Sequence, residues 1–491
     1  MRTDTGHRVA VVGGGIAGLV AAWELARTGV KVELFERDQV LGGRISHGEL
    51  GGSHYDLGAE SFATRGGGVQ RLIEDLGLAG RIQSPVPRQS WVLNAEAASP
   101  LPPAGAIGIP VSPMSAEARR ILGLAGALRC AIEPALPRRI GAHSSTIADL
   151  VGARLGSRVL SRLVAPVVRG VYSTDPAALP LSAVPGLETA WRNHGSLRAA
   201  ARAQRASNRS AGGAVAGLSG GLGVLVAHLE RELQRHSAKV HRGASVRVAR
   251  ETADGIRIET QETGDQGTYS AAIITVPNVA GSANQSQDTD RSRPESPEVV
   301  AEARSAEVEV VALLINDKRL NSAPRGTGVL VASEAQVGPL SVRAKALTHA
   351  SAKWQWLADE LPPNRHLIRL SYGEFQGRSS RSLDASTIAL DDASVLEIAR
   401  LDASKILGIE IAEESIVSMA RQRHTIPPRR ISAANDGAPH TTSPGLFFAG
   451  EWVSGTGLAA VIPSARLEAE KCLAHLSTLN RTPAQNRASS G

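Results

Sequence analysis

Apolar and polar positions recur in two rhythms along this chain. Val9 to Val12 run unbroken into a cluster of glycines, and apolar positions then recur at helical spacing from Ile16 onward. The pattern predicts a buried strand over 8–12, a turn over 13–18, a helix over 16–28 and a second strand over 30–36, one βαβ unit. A long Ala- and Arg-rich stretch, 115–206, keeps helical periodicity between its prolines. Residues 207–223, rich in Gly, Ala and Ser, read as a flexible loop leading into an amphipathic helix over 224–237. Strands are predicted over 240–248, 256–260, 271–277, 308–315, 366–372 and 446–450, and a closing helix over 464–476. Residues 281–297 have the polar, Pro- and Ser-containing composition of a surface insertion, and 482–491 that of a disordered end.

Composition narrows the class. The 491 residues exceed one ordinary core and imply two or three domains, while 42% hydrophobic and 21% charged residues exclude wholesale disorder. The net charge of +7 comes mostly from arginine, since only seven lysines occur. That bias is uniform, so it reads first as composition and second as a basic funnel for an acidic substrate or membrane surface. No basic stripe interleaved with aromatics argues for nucleic acid. Cys130 and Cys472 stand far apart, which excludes a disulfide framework and suits a reducing compartment. The start has no signal-peptide pattern, and the most apolar long stretch, 121–136, is interrupted by Arg129 and Glu133. The expectation is a cytoplasmic protein with at most peripheral membrane contact.

Gly13-Gly14-Gly15-Ile16-Ala17-Gly18 is a GxGxxG between a strand and a helix. Gly13 allows the tight turn, Gly15 lets the backbone approach a pyrophosphate, and Gly18 lets helix and strand pack closely; the phosphates sit on the helix N-terminus. Glu36, followed by Arg37, ends the second strand 18 residues after Gly18, where a carboxylate can accept both ribose hydroxyls. This predicts a dinucleotide site.

Leu41-Gly42-Gly43-Arg44 and Tyr55-Asp56-Leu57-Gly58-Ala59-Glu60-Ser61 follow, and near the far end stand Gly445-Leu446-Phe447-Phe448-Ala449-Gly450-Glu451 and Gly455-Thr456-Gly457-Leu458. These segments resemble those of the FAD amine oxidase superfamily. The resemblance implies that Gly42, Gly43, Arg44, Gly58, Ala59, Glu60 and Ser61 run along the pyrophosphate and isoalloxazine. It further implies that Gly450, Glu451, Thr456, Gly457 and Leu458 return to the flavin, and that the Val246 backbone holds the adenine. No Cys or His lies in a flavin-linking context near Gly43 or Gly450, so FAD is expected to be non-covalent.

The middle of the chain is similar to porphyrinogen oxidases. The segment from Leu163 through Pro166, Arg169-Gly170-Val171-Tyr172 and Asp175-Pro176 to Leu181-Ser182 carries that likeness, and so does Gln89-Ser90-Trp91 with Pro100-Leu101-Pro102. It resembles the Gram-positive branch, which acts on coproporphyrinogen III; Ser351-Ala352-Lys353-Trp354 resembles a segment of actinobacterial members. The likeness runs from Val9 to about Cys472. Two departures stand out: Gln422 occupies the place of the family's flavin-facing tryptophan, and Thr456 interrupts its C-terminal motif. The resemblance implies porphyrinogen and molecular oxygen as reactants, the flavin N5 as hydride acceptor, hydrogen peroxide as by-product and no dedicated catalytic side chain. Gln89, Trp91, Arg169, Gly170, Val171 and Tyr172 are the expected substrate wall, with Arg169 as the candidate partner of a propionate. Other readings stay open: another flavoenzyme of the superfamily (a protoporphyrinogen oxidase, amine oxidase or desaturase), or a flavin-binding haem-pathway protein with little turnover. A transient contact with the next haem-pathway enzyme is also open.

Remaining motifs read as structural. Gly217-Leu218-Ser219-Gly220-Gly221 matches a nucleophile elbow, but no preceding strand is predicted. The histidines and cysteines show no metal-ligand spacing, so no metal site is expected. Lys353 is read as pairing or packing beside Trp354. The expected fold class is α/β (α+β overall), a Rossmann-like FAD-binding domain with a sheet-based substrate domain and a helical domain. The expected divisions are 1–84, 215–282 and 440–486 for FAD, 85–112 and 283–439 for substrate, 113–214 helical, and 487–491 a disordered tail.

Overall fold

The computed structural model describes residues 6–184, 186–210, 215–277, 279, 306–337, 341–373, 387–426 and 444–480. The expected insertion over 281–297 and the expected tail lie outside them. The first three elements form where the apolar pattern puts them: the strand Arg8–Val12, the helix Ile16–Ala26 and the strand Lys31–Glu36. That helix is apolar on nearly every face, and Ala17 to Ala26 are all buried, which requires layers on both sides of it.

Those layers are built from remote parts of the chain. A five-stranded parallel sheet runs in the order Lys239–Arg242, Lys31–Glu36, Arg8–Val12, Ala271–Ile274, Leu446–Phe448. On one of its faces the helices Ile16–Ala26, Gly223–Arg235 and Leu458–Leu479 share a core with Val9, Val11, Leu34 and Ile273. On the other, a three-stranded antiparallel sheet of Val246–Thr252, Gly255–Thr260 and Gly264–Tyr269 covers Ala10, Val12 and Phe35.

Three expectations are corrected here. The strand expected over 240–248 is two strands in different sheets, because Gly243 turns with φ +66 between them. The loop expected over 207–223 is largely ordered: the helix Leu197–Ser210 continues into it, and Val215–Leu218 is a strand. The closing helix starts at Leu458 and runs through Pro463, whose ring lies against Gly68. A Cβ added at Gly68 would stand 2.7 Å from Pro463 Cγ.

A seven-stranded sheet forms the second layer system. Its order is Ile416–Ile426, Ala306–Asn316, Arg365–Tyr372, Ala346–His349, Gly328–Val331, Trp91–Leu93, Ala98–Pro100. Neighbours are antiparallel except Gly328–Val331 with Trp91–Leu93. Side chains alternate between its two faces. Ile368, Leu370, Leu347, Val329 and Leu93 pack under the helix Asp392–Leu407. The opposite face carries Leu367, Arg369, Ser371, Thr348, Ala346, Leu330 and Val92 by register. The helices between Ala116 and Ser210 make a further core of their own around Leu150, Leu163 and Trp191, reached by Val92 and Leu330. At its centre Arg154 and Glu133, both fully buried, form an ion pair at 2.8 Å.

Candidate flavin site

The glycine turn is constrained by contacts that allow no side chain. Gly13, at φ +103, donates its N–H to Phe35 O at 2.8 Å, and a Cβ there would lie 2.4 Å from Thr275 Oγ1. A Cβ at Gly18 would lie 1.8 Å from the Gly13 carbonyl oxygen, the close helix–strand approach that the motif requires. Gly15 differs: nothing stands within 4 Å of a Cβ placed there. That space lies at the N-terminus of the helix Ile16–Ala26, where backbone N–H groups attract an anion.

Four segments distant in sequence converge on this turn. Gly42 donates to Gly14 O at 2.9 Å, and a Cβ at Gly43 would stand 3.2 Å from Gly15 Cα. Ala59 donates to Arg44 O at 3.0 Å, with Gly58 so close that a Cβ would stand 2.0 Å from the same oxygen. Arg44 forms an ion pair with Glu451, whose carboxyl is raised by burial against the pull of Arg44. Gly450 turns at φ +99 against the Thr275 carbonyl, while Thr456 and Gly457 are exposed and Gly457 has open space at its Cβ position. Gly15, Thr456 and Gly457 are thus the open members of an otherwise closed cradle.

Glu36 is buried and accepts hydrogen bonds from Gly14 N and, at 2.9 Å, from Asp38 N. Each oxygen keeps acceptor capacity for a further donor. Arg37 is exposed beside Asp38, whereas Val246 is half-buried against the core that holds Phe35. Ile16, Ser61 and Leu458 sit at the edges of the cradle's segments, and Ala17 is buried in the helix. The residues therefore fit a dinucleotide-type flavin: an open anion position at a helix N-terminus, a fixed carboxylate at the second strand, and glycines whose missing side chains leave the room.

A charged clamp joins this cradle to the seven-stranded sheet, and sequence reasoning missed it. Glu60 forms ion pairs with Lys353 and, at 2.6 Å, with Arg369, which also donates to Gly58 O at 2.6 Å. Burial alone would raise the Glu60 carboxyl, but Lys353 and then Arg369 outweigh it and hold it at about 2. Lys353 also lies 5.1 Å from the centroid of the Trp354 ring. His424 completes the rim, with its Nε2 3.3 Å from Leu57 O; burial lowers its pKa, and Arg44 and Arg369 lower it further. Gln422 is exposed two residues away on the same face of the edge strand.

Asp56 caps the helix Gly223–Arg235, accepting from Leu222 N at 2.9 Å and Gly223 N at 3.3 Å. Burial pushes its carboxyl up to about 6 in spite of those bonds. This accounts for the Gly217–Gly221 motif. A strand does precede Ser219, against expectation, but the loop serves the cap: a Cβ at Gly221 would stand 2.8 Å from Asp56 Oδ1. Among the described residues, no group of three or more His, Cys, Asp or Glu could hold a metal, and no helix is long and apolar enough to cross a membrane.

The six expected substrate residues have other neighbours. Trp91 packs with Leu93 on the sheet face under the helix Asp392–Leu407, with the Arg325 guanidinium 4.8 Å from its ring centroid. Its neighbour Val92, not Trp91, faces the helical region. Gln89 donates to Leu101 O at 3.0 Å. Arg169, on the helix Ala165–Tyr172, is paired with Asp175 at 2.8 Å and bonded to Ser333, so its guanidinium ties that helix down rather than standing open. Gly170 allows close packing on Leu330, since a Cβ would stand 2.8 Å from Leu330 Cδ2. Val171 is 67% exposed, and Tyr172 is half-buried beside the helical core.

Residues 16–473 match the family described as flavin containing amine oxidoreductase. A relative from Mycobacterium tuberculosis named coproporphyrinogen III oxidase is 28% identical over 476 residues, covering 93% of this chain and 95% of its own. A Bacillus subtilis protein of the same name is 24% identical, covering 96% of this chain and 99% of its own. Among solved structures, a protein from Exiguobacterium sp. 255-15 superposes with a TM-score of 0.72 at 21% identity, over 94% of this chain and 98% of that one. With the cradle built from both ends of the sequence and the match spanning nearly all of it, the chain belongs to the flavin containing amine oxidoreductase family.

Proposed function

We propose that the protein binds FAD non-covalently and oxidises coproporphyrinogen III to coproporphyrin III, removing six electrons with oxygen as the final acceptor. The observation that carries this reading is the open cradle at Gly15 and Gly457 in a chain matched almost end to end by relatives named coproporphyrinogen III oxidase. When bound, the flavin supplies a two-electron hydride acceptor that oxygen reoxidises. The chain's part is to hold and exclude. Backbone N–H groups at Gly15 to Gly18 take the pyrophosphate, and Glu36 takes the ribose. The Glu60 clamp fixes the segment Gly58–Ser61 against the sheet.

The substrate floor in this reading is a row that sequence reasoning did not name. Gly328, Leu330, Ala346, Thr348 and Ser371 are all half-buried on the sheet face that carries Arg369, whereas their neighbours on the other face are buried. Gly328, Ala346, Thr348 and Ser371 carry small side chains or none, which leaves room over this face for a broad macrocycle. The row leads from Arg369 at the cradle toward Leu330, where Gly170, Val171 and Tyr172 form the far wall. In this reading the chain divides into 1–84, 215–282 and 440–486 for FAD, 85–112 and 283–439 for substrate, and 113–214 helical.

The test is an anaerobic half-reaction. Coproporphyrinogen III mixed with the purified protein should bleach the flavin absorbance, and admitting oxygen should restore it with release of peroxide. Bleaching by protoporphyrinogen alone, or by neither porphyrinogen, would overturn the assignment.

A further inference from the structure

A second cavity, of about 410 Å³, opens in the helical region. Its walls come from the chain just beyond the helix Ala116–Ala131 and from the junction of the helices Leu187–His194 and Leu197–Ser210. Arg138, His194, Arg198 and Arg202 line it, with Pro134, Leu136 and Ala199 as its apolar wall. Three guanidinium groups around one hollow repel each other, and an arrangement of this kind becomes favourable when an anion sits among them.

The local acid does not neutralise them. Glu133 is fully buried, and its two oxygens are taken by Arg154, the Ser196 hydroxyl and the backbone N–H groups of Leu197 and Arg198. The N-terminus of the helix Leu197–Ser210 is therefore satisfied from inside, and the groups left to meet a ligand are side chains. Glu188, on the neighbouring helix, is paired with Arg192 at 2.6 Å. Neither Arg138 nor Arg202 has an acidic partner among the described residues. Arg198 donates to Ala131 O at 2.8 Å and to Val111 O at 3.5 Å, while its Nε is buried with no hydrogen-bond partner among the described residues. Arg138 lies flat on Gly195, where a Cβ would come within 2.6 Å of its Nε, so the glycine gives the guanidinium its place.

The geometry points to a binding site for a phosphoryl-bearing anion, held by Arg138, Arg198 and Arg202 and separate from the flavin cradle. Guanidinium forks match phosphate oxygens in pairs, and several of them favour an anion carrying more than one charge. The same phosphoryl chemistry is offered by a free polyphosphate and by a phospholipid headgroup. This inference does not depend on the porphyrinogen reading.

The test uses the full-length, flavin-loaded protein at low ionic strength and the double variant R138A/R202A. R119A/R120A, at the other end of the helix Ala116–Ala131, removes the same charge elsewhere on the region. Inorganic pyrophosphate is titrated calorimetrically, and vesicles of phosphatidylcholine with phosphatidylglycerol are tested by co-sedimentation. Saturable binding of pyrophosphate at one site per chain, weakened tenfold or more in R138A/R202A and kept in R119A/R120A, supports a site for the free anion. Vesicle binding alone, with the same dependence on the variants, supports the site with a lipid headgroup as its source. No binding of either probe, or equal loss in both double variants, overturns the proposal. Unchanged flavin content and Tm show that R138A/R202A remains folded.

Discussion

Replacing Glu60 by glutamine keeps the shape of the side chain and removes the charge on which Lys353 and Arg369 converge. The carboxyl stands at about 2 in the folded protein against an ordinary value of 4.5. At about 1.4 kcal/mol per pH unit, ionised Glu60 contributes about 3 kcal/mol to the folded state. Only 14% of the side chain is exposed, so solvent screening takes away little of this. The folded value is the lower one; the contribution is therefore complete above about 4.5 and is lost as pH falls through about 2. Glu60→Gln leaves two cations facing a neutral amide, and the loss near pH 7 should be about 3 kcal/mol because partners are stranded rather than deleted together. Urea unfolding of the flavin-loaded parent and variant, repeated from about pH 7 to about pH 3, measures the gap. It should hold constant down to about pH 5 and narrow below that. A gap absent at neutral pH, or undiminished near pH 3, refutes the clamp.

Asp56 supplies the opposite slope. Its folded value of about 6 lies above the ordinary 3.8, so parent stability should fall as pH rises from about 4 to about 6, and Asp56→Asn should flatten that part of the unfolding profile. Glu36→Ala should cost on the order of 2–4 kcal/mol of FAD affinity, read by fluorescence titration of the apoprotein; unchanged affinity would remove Glu36 from the ribose position. Arg169→Ala should lower Tm while leaving flavin content unchanged, because its partners are Asp175 and Ser333. A selective rise in KM for coproporphyrinogen with Tm unchanged would instead put Arg169 in the substrate site.

Much of what could be read from the sequence was local in the chain. The glycine turn, Glu36 and the first strand–helix–strand unit lie within 30 residues, and Gly13, Gly14 and Gly18 answer contacts inside that span or close beside it. Strands with continuous apolar runs, such as Ala271–Ile274 and Leu446–Phe448, were legible although their partners are remote; the elements that escaped are short or lie at an edge. The strand Ile416–Ile426 reads as polar because it is the sheet's edge, with Arg421, Gln422 and Arg423 only partly covered or exposed. Gly328–Val331 and Ala346–His349 are four residues each, too short for alternation to stand out.

The same distinction explains why the geometry of the glycine turn could be read from residue types while the neighbours of Trp91 and Arg169 could not. A phosphate-binding turn needs particular backbone geometry, and glycine records that need in the residue type itself. A wall residue records nothing of the kind. Whether Trp91 or Val92 faces the helical region depends on strand register, since a shift of one residue exchanges the two faces. Register here is set by Val329 opposite Trp91 and Leu330 opposite Val92, a pairing across more than two hundred residues. Arg169 illustrates the nearer case. Its partner Asp175 lies only six residues on, just past the helix end, and a pairing at that distance competes with any bound carboxylate for the same guanidinium. An arginine beside a glycine in a family motif is therefore weaker evidence for a substrate contact than an acid within reach is for a structural one.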